Sequence, residues 1–151
     1  IEGQVRSDEI AKLPLVKDTL MVICHRGHPF WNRDHIRPEE LSGQNFILRE
    51  LGSGTRTIFE DYLRMAKVSI NVIGESASSA AIIDMVHHGL GLGVISYRCV
   101  ERYTDANLIH ACSIEDMPMD RLFYICYNNK MPVRSQMQDF IEACKQIIHK
   151  E

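Results

Sequence analysis

Apolar residues recur along the chain with a spacing that changes from stretch to stretch, and the spacing separates strands from helices. Leu20-Met21-Val22-Ile23-Cys24 is an unbroken apolar run of strand length. Such a run is the pattern of a strand covered on both faces, so it predicts a buried central strand. Arg26-Gly27-His28-Pro29-Phe30 interrupts it, and Pro38 opens room for one short helical turn up to Leu41. Residues 45–49 read as a second short strand. Over residues 53–67 the period changes: Ile58, Phe59, Tyr62, Leu63 and Ala66 fall at helical spacing, with Arg56, Glu60, Asp61 and Arg64 between them. Residues 69–74 follow as a strand. Ser78 or Ser79 then opens a helix that Gly89 closes, with Ile82, Met85 and Val86 inward.

Residues 92–95 predict a short strand between glycines, 97–103 a short helix, 108–112 a strand and 121–127 a strand rich in Leu, Phe, Ile and Tyr. Met137, Phe140, Ile141, Cys144, Ile147 and Ile148 make one apolar stripe on a terminal helix over about residues 133–149. Strands alternating with helices predict an α/β fold with parallel pairing.

With 151 residues, 45% of them hydrophobic, the chain can bury a core as one domain or two small lobes. A net charge of −3 and the lack of a run of Lys or Arg argue against a grip on a phosphate backbone by this chain itself. Five cysteines in no paired spacing read as reduced thiols in a cytoplasmic protein, with Cys99 in the least apolar surroundings. No window is apolar for long enough to predict a membrane span, and the first residues lack the features of a signal peptide.

Several stretches acquire meaning from their order: Ile1-Glu2-Gly3, Pro14-Leu15-x-x-Asp18-x-Leu20, His28-Pro29-Phe30, Phe46-Ile47-Leu48-Arg49-Glu50, Gly52-Ser53-Gly54-Thr55-Arg56, residues 89–96 (Gly-Leu-Gly-Leu-Gly-Val-Ile-Ser) and Arg121-Leu122-Phe123. At these distances the set resembles the effector-binding domain of LysR-type transcriptional regulators, nearly from end to end. The resemblance implies a type 2 periplasmic-binding-protein-like α/β fold, with two lobes of mixed sheets, joined by two crossover strands, and an effector held between them. On that frame residues 1–17 are the end of lobe one and a crossover, 18–96 lobe two, and 97–151 the return crossover and remainder of lobe one. The first lobe is then incomplete, and the DNA-binding helix-turn-helix precedes residue 1. The implied partners are a small-molecule effector, a second copy of the chain as a homodimer or higher oligomer, and DNA only through the absent N-terminal part. No cofactor, metal or membrane is expected.

Two strand-to-helix turns carry the candidate site. In the first, Ser53, Gly54, Thr55 and Arg56 stand at a helix entrance, where free N–H groups and the positive end of the helix dipole can meet an anion. The same residues are also the ordinary parts of a turn and an N-cap. In the second, Ser76 and Ser78 can supply hydroxyls to a ligand or cap a helix. The resemblance carries Glu2 to the site as well. Arg49 and Arg56 can balance a small acid or an oxyanion, or can pair with Glu50 and Glu60.

Other chemistry fits poorly. His25 and His28 flank a Gly-Pro turn with no second ligand pair at zinc spacing. His87 and His88 end a helix, where imidazole suits free carbonyls. The turn at residues 52–54 lacks the Gly-x-Ser-x-Gly order of a nucleophile elbow, and the glycines at 89–93 follow a helix and enter a strand, the reverse of a nucleotide fingerprint. No tuned acid, base or nucleophile marks an enzyme. A solute-binding protein of a transport system on the same fold is the alternative, and an apolar export signal in the parent gene would distinguish it from a regulator.

Overall fold

The computed structural model describes residues 9–130 and 135–148. Its elements are β1 (Ile10–Cys24), β2 (His35–Ile36), a 3-10 turn (Pro38–Leu41), β3 (Asn45–Arg49), α1 (Gly54–Ala66), β4 (Asn71–Ser76), α2 (Ser79–His87), β5 (Leu92–Ser96), α3 (Tyr97–Asp105), β6 (His110–Ile114), β7 (Asp120–Asn128) and α4 (Ser135–Ile148). They fall into two compact units, one of Ile1–Asp18 with Arg121–Glu151, the other Thr19–Asp120.

In the second unit the strand order is β2-β6-β1-β5-β3-β4. The predicted central strand holds: β1 pairs antiparallel with β5 (Leu20 opposite Ser96) on one side and β6 (Cys24 opposite His110) on the other. Parallel pairing joins β3 to both β5 and β4, so the sheet is mixed. Alternation along each strand explains the unbroken apolar runs. Leu20, Val22, Phe46, Leu48, Leu92 and Val94 share one core with Phe59 and Leu63 of α1. Ile23, Ile47 and Ile95 share another with Ile82, Ile83 and Val86 of α2 and Val100 of α3. Both faces are therefore covered, and each strand must be apolar at successive positions. Gly93 lets α2 approach closely, because a Cβ there would stand 3.0 Å from Ile82 Cγ2 and 3.2 Å from Val86 Cγ2. Gly89, at φ +77°, ends α2 as expected. By contacts this unit continues beyond residue 96 to Asp120, since α3 packs on β5 and β6 pairs with β1.

In the first unit, β1 and β7 pair. The Arg121 guanidinium donates to Asp18 at 2.6 Å, with the two side chains 6% and 0% exposed, and also lies 4.9 Å from the Phe123 ring centre. Removing either partner of such a pair strands a buried charge. Asn129 N–H donates to Glu9 O at 2.9 Å. On α4, Ile141 is buried and Met137 and Cys144 are half-buried, whereas Phe140 stands exposed.

The apolar pattern alone missed β2 and the first half of β1, the stretch where the resemblance implied a crossover. Two residues are too few to show a period, and residues 10–17 keep no strict alternation and carry Pro14, which demotes a strand reading. All five cysteines are free, with Cys24 and Cys112 buried and Cys99 exposed.

Candidate functional site

Parallel register brings the two turns together. Arg49 stands opposite Ser76 at the C-terminal ends of β3 and β4, and each strand leads straight into a helix. Ligands of open α/β sheets commonly meet the chain beyond the carboxyl ends of parallel strands.

The first entrance begins at Gly52, whose φ of +90° turns the chain without a Cβ penalty. Ser53 holds the N-cap position of α1 with extended backbone, yet its side chain caps no helix amide. Its carbonyl accepts the Thr57 N–H at 3.0 Å and the Thr57 hydroxyl at 3.1 Å. The Ser53 hydroxyl oxygen is buried and, among the described residues, has no hydrogen-bond partner. A buried hydroxyl without a partner is costly. It sits at the end of a helix where the first N–H groups have no intrahelical acceptor. Thr55 is buried beside it.

The second entrance is closed by its own serines. Ser78 Oγ accepts the Ala81 N–H at 3.3 Å, the N-cap bond of α2. Ser76 Oγ accepts the Ser78 N–H at 3.1 Å.

Both arginines are paired with acids. Arg49 donates through Nε and Nη2 to the Glu50 carboxylate at 2.8 and 2.9 Å, and through Nη1 to Ser79 Oγ at 3.3 Å. This fork holds the Glu50 carboxyl below the usual range. Arg56 donates from Nε to Glu60 at 2.7 Å, and from Nη1 to Glu75 at 2.5 Å and to the Arg49 carbonyl at 3.1 Å. Its pKa is raised, first by the bond it donates to Glu60. Two arginines against Glu50, Glu60 and Glu75 leave the rim with one negative charge in excess.

Ser53, Gly54, Thr55 and Arg56 thus lie in one turn, and Ser76 and Ser78 in the turn beside it. Glu2 lies outside the described residues. Pairing of Arg49 and Arg56 with Glu50 and Glu60 is the alternative that the spacing left open. Glu75 and Ser79 join the network through the β3–β4 register, which no local spacing encodes.

Among the described residues the histidines form no metal-ligand cluster. His25 Nδ1 accepts the Gly27 N–H at 3.0 Å and His28 Nδ1 the Phe30 N–H at 3.2 Å, so neutral rings carry their protons on Nε2. Burial pushes the His28 pKa down, helped by the neighbouring His25. His87 and His88 each donate from Nδ1 to a carbonyl, of Leu108 and Asp84, at 2.7 Å. Among the described residues no group of three or more His, Cys, Asp or Glu could hold a metal ion. A cavity of about 210 Å³ lined by His25, His28, Gln44 and Asn45 lies at the opposite end of β3 from the two entrances.

Residues 1–148 match the model of the LysR substrate binding domain. The chain is 28% identical over 127 residues to the HTH-type transcriptional activator CmpR of Synechocystis, covering 84% of this chain and 42% of that protein. It is 30% identical over 145 residues to the HTH-type transcriptional regulator YeiE of Escherichia coli, covering 95% of this chain and 49% of that protein. The chain therefore spans less than half the length of these relatives. Among solved structures it is similar to the Synechocystis CcmR regulatory domain in complex with 2-PG, with a TM-score of 0.88 at 23% identity over 98% of this chain and 71% of that one. The effector binding domain of QuiR in complex with shikimate gives a TM-score of 0.81 at 17% identity, over 98% and 70% of the two chains.

Proposed function

The chain belongs to the LysR substrate-binding domain family and is the effector-binding domain of a LysR-type transcriptional regulator, and on that premise we propose that its second unit contacts a small polar effector at the entrances of α1 and α2. The observation that carries this reading is the Ser53 hydroxyl, buried and without a partner among the described residues, at a helix entrance. A ligand oxygen there would satisfy it and meet N–H groups of the first turn at the positive end of the helix. The CcmR and QuiR domains are described with 2-PG and shikimate, both small molecules. The paired arginines favour recognition by hydroxyls and amides over recognition by a free cation, for a small acid and for an oxyanion alike.

The curated relatives are transcription regulators, which favours this reading over a transport-linked solute-binding protein. Among the described residues no helix is long and apolar enough to cross a membrane. For the whole protein we propose a cytoplasmic regulator that pairs with a second copy and reaches DNA through a helix-turn-helix outside this chain. The two compact units are proposed to be lobe two and the retained part of lobe one.

Calorimetric titration with 2-PG, shikimate and a panel of small carboxylic acids tests the site. The expected result is one compound that binds the wild-type chain and loses at least about tenfold in affinity on Ser53→Ala, the loss of a hydrogen bond to a charged group. Equal affinity of wild type and variant for every binder would move the site elsewhere.

A further inference from the structure

We propose that Arg56 is a positioning residue that sets the distance between the two helix entrances, and not a charge that touches the effector. The proposal rests on the effector site described above and adds the group that fixes its dimensions. The Arg56 side chain is 12% exposed and ties three elements together: Glu60 on α1, Glu75 on β4 and the carbonyl of Arg49 at the end of β3. Glu75 is the residue before Ser76, whose hydroxyl orders the second turn by accepting the Ser78 N–H. Arg49 reaches across to Ser79, the first residue of α2. One guanidinium therefore holds the start of α1 against the strand that leads into α2.

Geometry and charge agree on this role. The planar fork spans two carboxylates and a carbonyl at once, which a single ammonium on a flexible stem does not reproduce. Two carboxylates on one guanidinium also leave the trio with a negative excess, so Arg56 supplies no net attraction for an anion. Its effect on binding runs through the spacing of Ser53 and Ser78.

Amide hydrogen exchange and sulfate titration followed by amide shifts, both on the intact chain, test the proposal with Arg56→Gln, Arg56→Lys and Glu75→Gln. The amides of Thr57, Ser78 and Ala81, each bonded within an entrance, should exchange about threefold faster in Arg56→Gln and in Glu75→Gln, as expected for loss of a partly exposed ion pair. Amides of β1 and β5 should keep their rates, and Arg56→Lys should recover only part of the loss. The titration adds an opposite-sign test. Glu75→Gln removes a negative charge and would tighten sulfate binding if Arg56 acted by charge, whereas a positioning role requires it to weaken binding severalfold, as Arg56→Gln does.

Unchanged exchange in both variants, full recovery by Arg56→Lys, or tighter sulfate binding by Glu75→Gln each overturns the proposal. If wild type shows no sulfate response while the entrance amides respond to the substitutions, the entrances fail as an oxyanion site and the positioning role stands.

Discussion

At α2 the Ser78 hydroxyl accepts the Ala81 N–H at 3.3 Å, whereas at α1 Ser53 occupies the same cap position and its buried hydroxyl reaches no helix amide. The two entrances lie on neighbouring parallel strands and use the same residue type, yet one is complete and the other is not. Residue preference explains why serine stands at both. It does not explain why only one serine makes the bond, and an unmade bond in a buried place calls for an explanation that the proposed effector contact supplies.

The contrast has four consequences that can be checked, beginning with the anchor of the incomplete entrance. Phe59 is fully buried, with its ring centre 5.2 Å from that of Phe46, so α1 is held by its core side chains and not by its cap. Phe59→Ala should cost about 3–5 kcal/mol in chemical denaturation, as large aromatic deletions do. A loss below about 1 kcal/mol would mean that the entrance bears the load after all. Next in size, Ser78→Ala should lower stability by about 1 kcal/mol through loss of a working cap.

Ser53→Ala should change stability by less than about 0.5 kcal/mol, or raise it, because an unsatisfied hydroxyl leaves the interior. Equal losses at Ser53 and Ser78 in the same melts would erase the distinction between the entrances. The smallest effect concerns acid. The folded pKa of Glu50 is lowered by Arg49, so the contribution of that pair is complete above the unfolded value near 4.5 and is lost as pH falls through the folded value. The Tm difference between wild type and Glu50→Gln should therefore hold from neutral pH down to the unfolded value and close as pH falls below it. The difference caused by Ser78→Ala should persist, since a hydroxyl cap does not titrate in this range.

Much of this architecture was legible before the structure. Runs such as residues 20–24 and the helical spacing of Ile58, Phe59, Tyr62 and Leu63 are direct records of burial, so those elements appear where the pattern puts them. β2 left no record because two residues have no period. The site was legible by half. Its turns carry glycine and serine, which announce a strand-to-helix junction, but the state of each serine depends on angles of tenths of a turn that composition does not encode. Arg56 shows the same limit. Its partner four residues on, Glu60, follows from helix geometry, while Glu75 becomes a neighbour only through the strand register.

Cys24 and Cys112 lie fully buried on the sheet, and burial pushes both thiols up to about 12. At neutral pH almost none of either is thiolate, the form that alkylating reagents attack. Cys99 is open to solvent. The chain thus carries its own stopwatch: the first label marks time zero at Cys99, and the delay before Cys24 and Cys112 are modified counts how seldom the sheet opens, with and without an effector bound.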